Sequence, residues 1–452
     1  MSPLHPRKLW SRAIHLANLL GWHHVRLWLS GLSPRRLASS VRWLALQGRE
    51  LRRRRREPRL TVAVDIGPFW EPLTGIGWYL YRLLEHLADS EDVRLRLYGP
   101  ALVDKGDQPP PVVPLPSGPA VEVVSYRVPE DFSIVYYVAG DLLRAAEDRL
   151  VALDRNEVVF APNFLLPPRL GRCRGARVVT VHDLTVETLP ETMRESTRQE
   201  LASQLRTTVR GATRVLTDSE AVRGELVAAG LAEEGRVHAV PLAPGAASGG
   251  AAAADLPTDL PDRFVLHVGT LEPRKNLAML MDVWAEMASS GSPPPLVLCG
   301  GFGWKSQPLR DRIEDAEARA TAEGKPPWLR HLGYVPDDQL AALYRKALWV
   351  VMPSLYEGFG LPAVEAMAVG VPLIVSDIPV LREVAGDAAL YAPPKDAASW
   401  RRLLEESLGD DPLRRRMAEA SRARSARFDW ARTAAETVDV WRSAAEEVRR
   451  VG

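Results

Sequence analysis

Two glutamates separated by seven residues frame the segment of this sequence that is best equipped for chemistry, EGFGLPAVE from Glu357 to Glu365. Gly358 and Gly360 allow a tight loop in which backbone N–H groups approach a ligand closely. Pro362 suits the first turn of a helix, where its missing N–H costs nothing. The N-terminus of that helix presents free N–H groups and the positive end of its dipole. The segment therefore predicts a site for an anionic or oxygen-rich ligand that both carboxylates can reach.

A pair of adjacent cations, Arg274 and Lys275, occurs in the segment HVGTLEPRKN at 267–276. Arginine makes a fork-like contact with a phosphate, and lysine adds a point charge. Cations are unfavourable at the N-terminus of a helix unless an anion binds there. The pair therefore predicts a diphosphate site beyond the end of the preceding strand.

His182 and a short glycine segment are two weaker candidates. His182 ends the predicted strand 177–182, and ligands of open α/β sheets bind beyond the carboxyl ends of strands. His182 is therefore expected to face the same ligand. Gly75 and Gly77 form half of a dinucleotide-binding fingerprint, but Leu80 stands where the third glycine would be.

Strand-length apolar runs alternate with helical patterns from residue 60 onwards, which predicts parallel strands that are buried on both faces. The predicted strands are 60–66, 93–98, 121–126, 157–160, 177–182, 213–217, 237–241, 264–269, 296–299, 329–333, 348–353, 371–376 and 388–391. Helical patterns include 76–88, 191–210 and most of 396–448. A small-residue segment at 243–262 predicts a linker between two series of elements. The pattern indicates an α/β fold of two doubly wound, Rossmann-like domains that face each other across a cleft.

The composition is that of an ordinary globular protein, with 46% hydrophobic and 25% charged residues among 452. Cys173 and Cys299 are the only cysteines, which excludes a disulfide scaffold and a thiolate zinc cluster. The sequence has no P-loop, no zinc-protease helix motif, no Gly-x-Ser-x-Gly elbow and no Asp-x-Asp. No metal ligand is therefore assigned.

Residues 1–59 form a basic arm that precedes an acidic remainder. They contain fourteen Lys or Arg residues against two Glu, while the whole chain has a net charge of +1. Four tryptophans alternate with leucine and arginine in this arm: Trp10, Trp22, Trp28 and Trp43. The pattern predicts an amphipathic helical extension that binds an anionic membrane surface; a solvated extension packed on the protein itself is the alternative. The apolar residues of this arm make nucleic acid a less favoured partner than a membrane.

The sequence shows neither a membrane-spanning helix nor a signal peptide, because charged and histidine residues interrupt the most apolar early stretch, at 14–32. We therefore expect a cytoplasmic protein that is peripheral at the inner face of the cell membrane.

Taken together, these motifs resemble those of the family 4 glycosyltransferases, which have the GT-B fold. The resemblance runs from about Leu60 to about Arg442 and includes EGFGLPAVEAMA, HVGTLEPRKN, VHDL and VSDIPVLREVAGDAALYAPP. It implies an acceptor domain at 60–250, a nucleotide-sugar donor domain at 262–428 and a C-terminal helix at 429–452 that crosses back to the acceptor domain. It also implies retaining sugar transfer without a metal or cofactor, because the nucleotide-sugar is a substrate.

Carried over residue by residue, the resemblance implies that Arg274 and Lys275 neutralise the leaving diphosphate, where fixed cations stabilise the transition state. Glu365 would bind the ribose hydroxyls and Glu357 the transferred sugar, with His182 near the reacting carbon. The other implied donor-binding residues are Gly75, Gly77, Gly269, Tyr334, Val335, Gly358, Phe359, Gly360 and Leu361.

The motifs are most similar to those of mannosyltransferases of polysaccharide and O-antigen synthesis, so GDP-mannose is the predicted donor and a saccharide or lipid-linked saccharide the predicted acceptor. UDP-glucose, UDP-N-acetylglucosamine and deoxythymidine-linked sugars stay open. Front-face substitution and double displacement also stay open, with the resemblance favouring the former. The competing interpretations are a sugar-nucleotide epimerase on the same fold, a catalytically silent protein that recruits partners to a membrane, and a nicotinamide-dependent dehydrogenase. The broken glycine pattern opposes the last of these.

Overall fold

The structure is a computed structural model that describes residues 59–70, 75–99, 111–112, 114–124, 154–167, 170–245, 256–257, 260–324 and 327–451. The predicted helical extension at 1–59 lies outside the described residues, apart from Arg59. The central part of the predicted linker at 243–262 also lies outside them. Within the described residues, no helix is both long enough and apolar enough to cross a membrane.

The first half of the chain forms a seven-stranded sheet in the order β3-β2-β1-β4-β5-β6-β7. Its strands are β1 Leu60–Asp65, β2 Val93–Tyr98, β3 Val121–Val124, β4 Arg155–Ala161, β5 Arg174–Val181, β6 Arg214–Thr217 and β7 Val237–Ala239. β1 pairs in parallel with both β2 and β4. The chain thus leaves β1 towards one edge of the sheet and returns through β4 towards the other, as in a doubly wound fold.

The second half forms a six-stranded parallel sheet in the order β10-β9-β8-β11-β12-β13. Its strands are β8 Val265–Val268, β9 Leu296–Cys299, β10 Leu329–His331, β11 Trp349–Met352, β12 Leu373–Ser376 and β13 Ala389–Ala392. The strand order reverses between β8 and β11. In such sheets the carboxyl ends of the two strands at this switch point form the usual ligand site.

Twelve α-helices connect and follow the strands in the described part of the chain. They are α1 Gly75–Leu87, α2 Thr185–Thr188, α3 Glu195–Gly211, α4 Glu220–Ala228, α5 Leu277–Ser290, α6 Gln307–Ala322, α7 Asp337–Lys346, α8 Leu361–Val369, α9 Pro379–Ala385, α10 Ala397–Leu408, α11 Asp411–Ser425 and α12 Trp430–Val451. This alternation of strands and helices confirms the predicted fold of two Rossmann-like, doubly wound domains. Every predicted strand is present, within three residues at each described end.

Large aromatic side chains fill the core of the second sheet. Trp284, Trp349 and Trp400 are fully buried and belong to one apolar cluster with aliphatic residues of β8, β9 and α5. Each buried side chain of this size contributes roughly 2–3 kcal/mol through removal of apolar surface from water. This core fixes the strand ends on which the site residues lie.

The last helix, α12, packs against α1. The Trp430 indole Nε1 donates a hydrogen bond of 2.8 Å to the carbonyl of Pro244, and the Arg214 guanidinium pairs with Glu447. Helix α12 thus contacts α1, strand β6 and the segment that follows β7.

The chain divides into two compact units. The first contains β1 to β3 and β4 up to Phe160, and the second contains α1 and the chain from Ala176 onwards. All of the candidate site residues lie in the second unit. The domain boundaries predicted from the sequence, 60–250 and 262–428, stay predictions.

Candidate functional site

Glu357 is the centre of a buried ion-pair network at the switch point of the second sheet. Its Oε1 accepts hydrogen bonds from Lys275 Nζ at 2.7 Å and Ser354 Oγ at 2.6 Å, and its Oε2 accepts one from Arg274 Nη1 at 3.1 Å. Arg274 Nε also donates to Glu272 Oε1 at 2.5 Å. The segments after β8 and β11 thus meet at one point, and each cation lies against a carboxylate.

The charges in this network determine the ionisation of its members. Burial by itself raises the pKa of Glu357, but the nearby charges of Lys275 and Arg274 lower it to about 2. Burial and the adjacent Arg274 lower the pKa of Lys275. Glu357 is therefore an anion at neutral pH and accepts hydrogen bonds there.

The EGFG loop that carries Glu357 packs tightly against the end of β5. A Cβ atom on Gly358 would lie 1.9 Å from the carbonyl oxygen of His182, so only glycine fits. The Gly358 carbonyl accepts a hydrogen bond of 2.8 Å from Ser219 Oγ. Gly360 has a φ of 91°, which is left-handed backbone that glycine adopts readily, and it starts helix α8 at Leu361.

Tyr356, next to Glu357 in sequence, connects this loop to two segments of the first half of the chain. Its hydroxyl donates to Glu225 Oε2 at 2.7 Å and accepts from the Leu184 N–H at 2.8 Å. These bonds hold the Glu357 loop beside the segment that follows His182.

Glu365 lies in the second turn of α8 and is held by two donors. Tyr344 of α7 donates its hydroxyl to Glu365 Oε2 at 2.9 Å, and the Gly245 N–H also donates to this carboxylate. Burial raises the pKa of Glu365 to about 7 despite the Tyr344 hydrogen bond. The protonation of Glu365 therefore changes near neutral pH.

His182 is buried at the carboxyl end of β5, with 8% of its surface exposed. Its Nδ1 lies 2.7 Å from Asp218 Oδ2, and its Nε2 lies 2.8 Å from the carbonyl oxygen of Pro162. The rings of Tyr79 and Phe164 meet its ring edge-to-face. The imidazole is therefore fixed on both sides.

The remaining predicted donor-binding residues are distributed around these groups. Gly75 begins α1, and a Cβ atom there would lie 3.5 Å from the Leu361 side chain. Gly269 has a φ of 146° and lies beside Lys275 and His267. Gly77 is buried within helix α1, and Phe359 is buried in the EGFG loop.

Tyr334 and Val335 follow β10 and differ strongly in exposure. Tyr334 is 70% exposed, whereas Val335 is buried. The backbone of Val335 is hydrogen-bonded to the Cys299 thiol. Burial and the charge of Glu365 raise the pKa of that thiol. The Val335 backbone thus lies beside Cys299, the last residue of β9.

Sequence reasoning missed several residues that complete the site. Asp218 directly follows β6, so the strand-end rule that selected His182 also applies to it. Glu272 and Ser354 lie within or beside the recognised motifs, but no spacing indicated their partners. Tyr344 and Tyr356 join elements that are distant in sequence, and no local pattern signals such a contact.

Among the described residues, no group of three or more His, Cys, Asp or Glu side chains is arranged to hold a metal ion. Arg274 and Lys275, each paired with a carboxylate, are two cations of this site that could also contact a bound anion.

Comparisons with known proteins agree with these motifs. The sequence profile described as "Glycosyl transferases group 1" matches residues 252–424. O-antigen chain mannosyltransferase B of Escherichia coli is 30% identical over 385 residues, which cover 83% of this chain and 97% of that protein.

Two solved structures share the fold at low sequence identity. Sucrose-phosphate synthase from Thermosynechococcus elongatus has a TM-score of 0.63 at 21% identity, over 85% of this chain and 99% of that chain. HepE of Anabaena, in complex with UDP and glucose, has a TM-score of 0.58 at 17% identity, over 85% of this chain and 100% of that chain. These likenesses show the GT-B fold.

Proposed function

The chain belongs to the group 1 glycosyltransferases, and we propose that it transfers mannose from GDP-mannose to a saccharide or lipid-linked saccharide with retention of configuration. The observation that carries the choice of sugar is the 30% identity to an O-antigen mannosyltransferase across 97% of that protein's length. The reaction is sugar transfer on a GT-B fold.

The cations beside Glu357 suit the diphosphate of the donor. Arg274 and Lys275 lie beyond the carboxyl end of β8, at the switch point where ligands of such sheets bind. Negative charge develops on the leaving diphosphate as the bond to the sugar breaks, and fixed cations stabilise it without reorganisation. We therefore propose transfer that needs no metal ion.

Glu357 is proposed to hold hydroxyl groups of the transferred sugar. It is ionised, so it accepts hydrogen bonds and has no proton to give. Both of its oxygens already accept bonds from cationic or hydroxyl donors, which weakens them as nucleophiles. This supports front-face substitution, in which the leaving phosphate takes the acceptor's proton, over a covalent intermediate on Glu357.

Glu365 is proposed to accept hydrogen bonds from the ribose hydroxyls, with Tyr334 and Val335 beside the base. The support is the position of Glu365 on α8 and the hydrogen bond between the Val335 backbone and Cys299, a thiol that interacts electrostatically with Glu365. His182 is proposed to lie near the reacting carbon of the sugar, since it lies against the loop that carries Glu357.

The proposal extends to location. The basic, tryptophan-containing segment 1–59 would bind an anionic membrane from the cytoplasmic side and bring the enzyme to a lipid-linked acceptor.

A donor panel tests the function. The full chain is mixed in turn with GDP, UDP, dTDP and NAD, each with and without EDTA, and the midpoint of thermal unfolding is measured. A ligand that binds the folded state raises the midpoint. We expect GDP to give the largest shift, equal in EDTA, and GDP-mannose to support transfer whose product keeps the anomeric configuration in NMR spectra.

The other outcomes are equally informative. A shift with UDP or dTDP alone would indicate a donor that carries another nucleotide, and mannose would no longer be the proposed sugar. Isomerised nucleotide-sugar without transfer would indicate an epimerase. A shift with none of the diphosphates would contradict the proposal and favour a catalytically silent partner.

A further inference from the structure

The His182 imidazole has no ring nitrogen available for a reacting group. Nδ1 lies 2.7 Å from Asp218 Oδ2 and Nε2 lies 2.8 Å from the Pro162 carbonyl oxygen. Both partners, Asp218 and Pro162, are buried with it; His182 is 8% and Asp218 4% exposed. The rings of Tyr79 and Phe164 pack against the imidazole, with their centroids 5.2 and 5.9 Å from the centroid of the His182 ring.

The two contacts determine how many protons the ring carries. A carbonyl oxygen only accepts hydrogen bonds, so Nε2 must bear a proton to bond with Pro162. A carboxylic acid is normally a much stronger acid than an imidazolium, so the proton between Nδ1 and Asp218 belongs to the imidazole. Both ring nitrogens then carry protons, and His182 is a cation.

The charged and polar neighbours of the imidazole favour the same state, while burial also raises the pKa of its partner Asp218 and the charge of His182 opposes that rise. Burial by itself lowers the pKa of His182, but the charge and hydrogen bond of Asp218, together with the Pro162 carbonyl, raise it above its usual value. The charge of Asp183, the next residue in the chain, also raises the pKa of His182. From α1, the Tyr79 hydroxyl faces Thr180 Oγ1 at 3.2 Å and is thus already paired.

We propose that Asp218 is a positioning residue that holds His182 as a permanent imidazolium, so that His182 contributes fixed charge and position to sugar transfer and exchanges no proton during the reaction. Asp183 interacts electrostatically with both His182 and Arg274, which places the imidazolium in the same charged surroundings as the proposed diphosphate site. The part that concerns transfer rests on the proposed function, whereas the charge state of His182 does not.

The pH dependence of transfer tests the positioning role. Because Asp218 and the Pro162 carbonyl hold His182 as an imidazolium in the wild-type chain, we expect His182 to cause no loss of kcat/KM between pH 6 and 8. In Asp218→Asn the stabilising charge is gone, and His182 should titrate at or below its ordinary value of about 6.5. We expect kcat/KM of this variant to fall roughly tenfold per pH unit above that point.

Two further variants separate positioning from general damage. Asp218→Glu restores a carboxylate and should recover much of the flat profile. Asp377→Asn removes an exposed aspartate that pairs with Arg382, and its profile should match the wild type. A profile for Asp218→Asn that stays parallel to the wild type would overturn the positioning role.

The charge state is measured on the unmodified full chain, so it does not depend on a variant that folds. Long-range ¹H–¹⁵N NMR reports the protonation of each ring nitrogen, and His182→Gln identifies the His182 signals. We expect both nitrogens to be protonated at pH 7.5. An unprotonated ring nitrogen at that pH would overturn the inference. Absence of transfer with every donor would count against the proposed function, while the NMR result would still decide the His182–Asp218 pair.

Discussion

Burial raises the pKa of both motif glutamates, and their different partners decide where each pKa ends. Glu357 and Glu365 belong to one motif, yet the pKa of Glu357 is lowered to about 2 and that of Glu365 is raised to about 7. The difference arises because Glu357 lies against Lys275 and Arg274, whereas Glu365 faces a tyrosine hydroxyl and a backbone N–H. Two carboxylates in one site are thus suited to different tasks.

Replacing Glu357 by glutamine should reduce kcat at least about 100-fold, the size expected when one preorganised charge contact is lost. The variant keeps the shape of the side chain but leaves the charges of Lys275 and Arg274 without their carboxylate. Steady-state kinetics with the preferred donor measure the change, and Glu436→Gln in the exposed Arg432 pair serves as control. Activity within threefold of the wild type, or a glycosyl adduct on Glu357 in mass spectra of the wild-type chain, would contradict the proposed role.

Replacing Tyr344 by phenylalanine should weaken nucleotide binding most strongly near neutral pH. The pKa of Glu365 is raised to about 7, so Glu365 is protonated below that pH and accepts ribose hydroxyls fully only above it. Nucleoside diphosphate affinity should therefore rise as pH increases through about 7 in the wild type. Because the Tyr344 hydrogen bond stabilises the carboxylate, its loss should move this rise to higher pH.

Calorimetric titrations with the nucleoside diphosphate from pH 6 to 9 measure this shift. Tyr391→Phe removes a hydroxyl that bonds to backbone carbonyls of Leu381 and Gly386, and it is the matched control. An unchanged pH profile for Tyr344→Phe would show that Tyr344 does not support Glu365. A pH-independent affinity in the wild type would argue against ribose binding by Glu365 itself.

At the scale of elements, the EGFG loop is held by contacts that leave no room for a side chain. Gly358 lies against the His182 carbonyl, and Ser219 and Tyr356 bond the same loop to the segments after β6 and β5. These contacts join strand ends of the two sheets within one compact unit. The loop therefore sets the spacing between Glu357 and His182.

Gly358→Ala should abolish transfer and destabilise the chain by about 1–3 kcal/mol, because its Cβ would lie 1.9 Å from a main-chain oxygen that cannot move freely. Thermal unfolding and transfer assays measure both effects. Gly224→Ala is the control, since nothing lies within 4 Å of its added Cβ in helix α4. That change should be neutral or stabilise by up to about 1 kcal/mol. Near-normal activity in Gly358→Ala would contradict the tight packing.

At the scale of the whole molecule, positive charge is concentrated in residues 1–59 while the rest of the chain is acidic. Such a distribution favours an oriented approach to an anionic membrane surface. The five consecutive arginines at 52–56 are its densest part.

Arg53→Gln with Arg54→Gln should weaken binding of the full chain to phosphatidylserine vesicles by 10- to 30-fold, since each basic residue near an anionic surface contributes about 1 kcal/mol. Co-sedimentation at physiological ionic strength measures the fraction of the full chain that binds to the vesicles. Arg415→Gln with Arg416→Gln changes two exposed arginines of α11 and should leave binding unaltered. Equal partitioning of both double variants and the wild type would contradict a membrane role for this segment.

The sequence by itself determined the strands, the two doubly wound halves and the positions of the motifs. Buried parallel strands are continuous apolar runs, and glycines and prolines mark the loops at their ends, so these features are local. The resemblance to family 4 glycosyltransferases rests on the same local motifs, and it held for both family and fold. The roles of the individual site residues stay predictions.

The tertiary structure alone decided which side chains meet. Lys275 and Glu357 are 82 residues apart, and Tyr344 and Glu365 are 21 apart, yet each pair is in hydrogen-bond contact. The strand order brings the ends of β8 and β11 together, and no local pattern encodes that order. For the same reason Asp218 was missed, because its importance comes from His182 on the neighbouring strand β5. Spacing along the chain thus identified the reactive groups, and packing set their charges.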